Sequence, residues 1–261
     1  MKKYALVTGA SRGIGRETAI ALAAAGYDLI ITALKNEDKL KETAAAAEAA
    51  SKRADFAAHE FICDAGSSAD VRNLFSSLKA LGIAQNICLL VNNAGISSFN
   101  LVQDISDDEW HRVIDVNLSG PFYMCRELVP YMIRKKSGCI INISSYWGRV
   151  GSSMESAYSA AKGGLDAFTL SLAKELKPSG ITVCSLSCEF INTEMNAGFT
   201  DDEIRDVLRV MPSGKVISPR EVAKMVCILT DTDHRTEGRV YCMNEMLKKL
   251  RQTASPNEVY R

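Results

Sequence analysis

Ala5-Leu6-Val7-Thr8-Gly9-Ala10-Ser11-Arg12-Gly13-Ile14-Gly15 sets a short apolar run directly before three glycines, and a helical pattern over 14–25 follows. Glycines at this spacing allow a tight turn and let backbone N–H groups come close to a pyrophosphate at the positive end of the helix. A glycine triplet alone also fits an ordinary strand-to-helix turn. A strand before it, a helix after it and a place at the start of the chain favour a nucleotide. Gly9, Ser11, Arg12, Gly13, Ile14 and Gly15 are therefore candidate cofactor-binding residues.

Outward from this stretch, apolar runs alternate with helical patterns. The runs at Ala5–Thr8, Leu29–Thr32, Phe56–Cys63, Ile87–Val91, Cys139–Ser144, Ile181–Leu186 and Arg239–Met243 are nearly continuous in apolar residues, as strands covered on both faces should be. Helices are expected near 14–25, 37–53, 67–81, 107–135, 155–177 and 219–230. The second is so rich in alanine that propensity alone favours it. Seven strands alternating with helices predict an α/β fold, a single Rossmann-type doubly wound domain whose seven-stranded parallel sheet has helices on both faces. No linker or repeat divides the 261 residues. We expect one domain over 1–246 and a polar, flexible or surface-bound tail over 247–261.

The totals exclude several classes. Formal net charge is zero, so no basic field favours nucleic acid. Apolar stretches of about six residues are too short for a membrane span. No apolar leader precedes the first strand, and the eight cysteines form no CxxC pair, so a reducing cytoplasm is expected. Cys88 and Cys139 lie inside apolar runs and read as buried thiols. His59, His111 and His234 lack ligand spacing, so no metal site is expected.

The spacing TGxxxGxG resembles the short-chain dehydrogenase/reductase family, as do Asp64 after the third strand and Asn92-Asn93-Ala94-Gly95 after the fourth. The resemblance covers residue 2 to about 246. It implies that Asp64 and Ala65 meet the adenine end, that Asn93 and Gly95 border the cofactor, and that Ile191 and Thr193 touch its carboxamide and phosphates. The choice of dinucleotide falls after the second strand, where an acid would accept the ribose hydroxyls and repel a 2′-phosphate. That strand leads into Leu34 and Lys35 and lacks the acid, while Lys35 and Arg12 add positive charge. Either cation could be a solvated side chain; together with the missing acid they favour NADP(H).

Tyr158-Ser-Ala-Ala-Lys162 sets a phenol and an ammonium four residues apart, on one helical face. A free tyrosine has a pKa of about 10, and a nearby ammonium and an oxidised nicotinamide would both lower it. A packed tyrosine beside a solvated lysine is the plainer alternative. Thirteen residues upstream stands Ser145, at the family's interval for the serine that holds the substrate oxygen. Asn117 precedes Pro121, which cannot donate to its carbonyl as a helical residue would, so that carbonyl is expected to be free to hold a water. In the family an asparagine here continues a proton path from the lysine. Asn117, Ser145, Tyr158 and Lys162 are thus the expected catalytic set, with Tyr158 and Lys162 also touching the cofactor.

The expected function is hydride transfer between NADP(H) and a small-molecule carbonyl or secondary alcohol. The wording of the motifs is closest to the 3-oxoacyl-carrier-protein reductases, which makes a 3-oxoacyl thioester one candidate. Arg134, Lys135 and Lys136 could meet an acidic carrier or form a solvated helix end, and Ser179 stands where a second basic residue would be expected. Cys188-Glu189 replaces the usual Pro-Gly, and Glu245-Met246 replaces a Gly-Gly pair. Those losses motivate a competing role, a nucleotide-binding scaffold or regulator without catalysis. Glu189 reads either as a solvated bystander or as a charge near Tyr158 that raises its pKa or pairs with a polar substrate group. The family implies a homotetramer built on the two long helices.

Overall fold

The apolar runs become strands buried on both faces, as continuous hydrophobicity requires. The computed structural model describes residues 2–230 and 238–253, and it is an α/β sandwich. Strands β1 (Tyr4–Val7), β2 (Asp28–Ala33), β3 (Ala58–Ile62), β4 (Ile87–Asn92), β5 (Gly138–Ser145), β6 (Ile181–Cys188) and β7 (Arg239–Cys242) form one parallel sheet, ordered β3-β2-β1-β4-β5-β6-β7. Alternate residues of β1 go to opposite sides. Ala5 and Val7 pack with Leu22, Leu40 and Val226 of helices α1 (Gly13–Ala24), α2 (Glu37–Ala50) and α9 (Pro219–Thr230). Tyr4 and Leu6 pack with Leu74, Met124 and Leu172 of α3 (Ser68–Ala80), α5 (Gly120–Lys135) and α7 (Ser156–Leu176). The chain winds outward from β1 to β3, then returns across β1 to β4, so a crevice opens between the carboxyl ends of β1 and β4.

Two expectations change. The helix expected over 107–135 is interrupted: α4 (Asp107–Ile114) runs into a π-helical turn, Asp115–Ser119, before α5 begins. Gly120 there donates to the carbonyl of Asp115, five residues back, and Pro121 has no N–H to restore the tighter ladder. The start of the expected tail is helical. Helix α10 (Met243–Thr253) follows β7 directly and buries Met246 and Leu247 in the core. Glu245 sits in its first turn, paired with Arg239 at 2.8 Å, so the helix takes the place that glycines were expected to serve. His234 and residues 254–261 lie outside the described residues.

Short helices complete the upper face: α6 (Trp147–Val150) after β5, and α8 (Asp201–Val210) in the segment after β6. The latter is held by a capping box between Thr200 and Glu203.

Candidate active site

A cleft of about 920 Å³ lies over the carboxyl ends of the strands. Its floor at one end is the glycine turn. Gly9 has φ +66°, and a Cβ there would stand 2.9 Å from Ala94 Cα; a Cβ on Gly15 would run into Gly9 O and Asn93 Nδ2. Thr8 Oγ1 accepts hydrogen bonds from the N–H groups of Asn93 and Ala94, each at 3.0 Å, and Asn93 Nδ2 donates to Thr8 O at 2.8 Å. These bonds lock the two loops together. Arg12, the N-cap of α1, gives no side-chain cap, so the N–H groups of Gly13 and Ile14 stand uncapped by it at the cleft wall. This cradle fits the pyrophosphate of a dinucleotide.

Gly9, Ser11, Arg12, Gly13, Ile14, Leu34, Lys35, Asp64, Ala65, Asn93, Gly95, Ile191 and Thr193 all line this cleft, together with Ser145, Tyr158 and Lys162. Gly15 and Asn117 do not; they support it from behind. Two of the expected cofactor residues are already engaged. Arg12 Nη1 lies 2.6 Å from Glu194, which also takes Lys39 at 3.3 Å, and Asp64 is held by Arg112 at 2.7 and 3.1 Å. No acid stands at the tip of β2, where Ala33, Leu34, Lys35 and Asn36 form the wall.

At the other end, Ser145 closes β5 and Tyr158 and Lys162 project from α7. Paired glycines bring these elements together: a Cβ on Gly148 of α6 would stand 2.7 Å from the Lys162 carbonyl carbon, and one on Gly163 would stand 2.8 Å from Gly148 O. Lys162 is buried, donates to Ile143 O at 2.9 Å, and stands 5.6 Å from the centre of the Tyr158 ring. Burial pushes its pKa down to about 8, against raising contributions from Cys188 and Asp166. The Tyr158 phenol is pushed up. Burial is the main cause, hydrogen bonding with Ser145 works against it, and Glu155 and Cys188 add to the rise. Among the protein's own groups the net effect is thus to raise Tyr158, opposite to the lowering expected from a nearby ammonium, because burial of the phenol itself dominates.

Asn117, fully buried in the π turn, donates from Nδ2 to Ile96 O at 2.8 Å and Val113 O at 2.9 Å. Its Oδ1 has no partner among the described residues. Cys188 is a buried filler whose thiol burial raises to about 12. Glu189 is no solvated bystander: it is 8% exposed and accepts the Ser213 N–H at 2.8 Å. The acid that acts on Tyr158 is Glu155, one helical turn before it, 6% exposed and bonded to Ser97 Oγ at 2.6 Å. Sequence reading missed Glu155, Arg112 and Glu194. Spacing three before Tyr158 could have flagged the first; the other two are brought in by folding alone.

Comparison with known proteins shows similarity over most of the chain. Residues 3–204 match the family described as short chain dehydrogenase. An uncharacterized oxidoreductase of Bacillus subtilis (strain 168), YmfI, is 38% identical over 248 residues, 94% of this chain and 98% of that protein. The 3-oxoacyl-[acyl-carrier-protein] reductases FabG of Vibrio harveyi and Escherichia coli (strain K12) are each 35% identical, covering 88% of this chain and 91% of theirs.

Proposed function

The chain belongs to the short-chain dehydrogenase/reductase family, and from that premise we propose that it is an NADP(H)-dependent oxidoreductase of carbonyls and secondary alcohols, with Asn117, Ser145, Tyr158 and Lys162 as its catalytic set. The observation that carries the proposal is the meeting of Ser145, Tyr158 and Lys162 at one end of a cleft whose other end is the glycine cradle. A nicotinamide, when bound, supplies or takes the hydride. Ser145 orients the substrate oxygen through its hydroxyl. Tyr158, kept protonated by burial, donates the proton in the direction of reduction and accepts it in the reverse direction. Lys162 supplies positive charge beneath the phenol and a donor toward the cofactor ribose. Asn117 Oδ1 lies behind Gly95 with no partner among the described residues. This side-chain oxygen, rather than the main-chain carbonyl expected from Pro121, would hold a water that returns protons to Lys162.

NADP(H) is favoured because no acid ends β2 and Lys35 and Arg12 stand at the adenosine end. Arg12 would exchange the Glu194 carboxylate for the 2′-phosphate. We further propose a homotetramer in the cytoplasm. Similarity to the FabG reductases makes 3-oxoacyl thioesters one candidate substrate; among the basic residues expected to meet a carrier, Arg134 lies over the Tyr131 ring and Lys135 reaches Asn86. Fluorescence titration tests the cofactor. NADPH should bind at least about tenfold tighter than NADH, a gap worth about 1.4 kcal/mol, and Arg12→Ala should narrow it. Equal affinities would refute the assignment.

A further inference from the structure

Charge in the cleft is segregated. The cations Arg12, Lys35 and Arg112 belong to the dinucleotide end, whereas near Tyr158 the cleft carries Glu155 and Glu189 and, among the described residues, only Lys162 as a cation. Of the other acids lining the cleft, Glu203 is consumed by its capping box with Thr200, Glu194 by Arg12 and Lys39, and Asp64 by Arg112. Glu189 is different. Nine-tenths buried, it spends one oxygen on the Ser213 N–H and leaves Oε1 with no partner among the described residues. A buried acceptor without a donor is costly, and a donor that fills it is correspondingly well bound. Glu155 faces the same cleft from the start of α7, fixed by Ser97. Apolar Phe99, Met154, Phe190, Phe199 and Met211 also line the cleft, interleaved with polar side chains such as Ser152.

We propose that Glu189 and Glu155 select the substrate: a carbonyl compound with an apolar body and a hydrogen-bond donor, hydroxyl or ammonium, whose donor meets Glu189 Oε1, to the exclusion of keto acids. This rests on the oxidoreductase reading above and names its substrate class. Two buried carboxyl groups repel a substrate carboxylate, and among the described residues lining this part of the cleft only Lys162 is a cation that could receive one.

The test uses three matched methyl ketones: one ending in a hydroxyl, its alkyl counterpart with methyl in place of hydroxyl, and the keto acid of the same chain length. Each is titrated into the whole enzyme with NADPH present, following both tryptophan fluorescence, to which Trp147 in the cleft wall contributes, and NADPH oxidation. The hydroxylated ketone should bind at least about tenfold tighter than the alkyl one, the effect of one buried hydrogen bond to a charged group. The keto acid should bind weakest, and Glu189→Gln or Glu155→Gln should raise its affinity relative to the alkyl ketone several-fold. Equal affinity for the hydroxylated and alkyl ketones would mean that Oε1 meets only water, and would overturn the inference. So would a keto acid that binds as well as the alkyl ketone. The predicted binding order without NADPH oxidation would uphold the selection and refute the oxidoreductase reading, so the two failures are distinguishable.

Discussion

Lys162 is an ammonium buried where the proposed proton transfer needs its charge, and its desolvation works against the folded state. Its pKa is lowered to about 8 from the ordinary lysine value, mainly by desolvation. Below about 8 both folded and unfolded chains carry the proton and the full penalty is present. As pH rises from about 8 toward the unfolded value, the unfolded state binds more protons, so stability increases with pH across that window. Replacing Lys162 by Met should therefore raise Tm by a few degrees at neutral pH while removing activity, and the gain should shrink as pH approaches about 10. Thermal melts of both proteins at neutral and alkaline pH check this; a variant that melts lower at neutral pH would contradict it. At this scale the sequence was most legible where spacing encodes contact, as in Tyr158 and Lys162 four apart on a helix. It was least legible for Glu155, Arg112 and Glu194, whose partners Ser97, Asp64 and Arg12 are distant in the chain.

The elements that place the site meet through absent side chains. Gly148 and Gly163 let α6 and α7 touch backbone to backbone, which sets Ser145 beside Tyr158. Gly148→Ala puts a methyl group 2.7 Å from the Lys162 carbonyl carbon, a distance no real contact sustains, so the two helices must move apart. The expected outcome is a loss of at least about tenfold in kcat, because small misplacements of catalytic groups cost this much or more. NADPH binding at the distant glycine cradle should change far less, and steady-state kinetics with a parallel titration separate the two. The fold itself was readable from period and punctuation: every strand expected is found, within a few residues at each end. The break in the helix expected over 107–135 was half legible. Pro121 announced a missing bond, but a π turn rather than a kink depends on how Asn117 is held by Ile96 and Val113. Helix α10 was not read because Glu245 and Met246 were compared with glycines rather than weighed as helix formers.

Across the whole molecule, α5 and α7 present exposed Phe122, Ile133 and Leu170, large apolar groups on the helices proposed to pack against a second copy. Light scattering at micromolar concentration should give a tetramer, and a stable monomer would contradict that proposal. The topology puts the cradle and the proton donor at two ends of one cleft, so the molecule's central claim is that a hydride delivered from one end is matched by a proton from Tyr158 at the other. The most direct measurement is NADPH-dependent reduction of the best carbonyl substrate by the native enzyme and by Tyr158→Phe, with NADPH affinity measured on both. Loss of at least about a hundredfold in kcat, the lower range for a general acid, with NADPH affinity within a few-fold is the predicted result. A Tyr158→Phe enzyme that keeps most of its turnover would contradict the account.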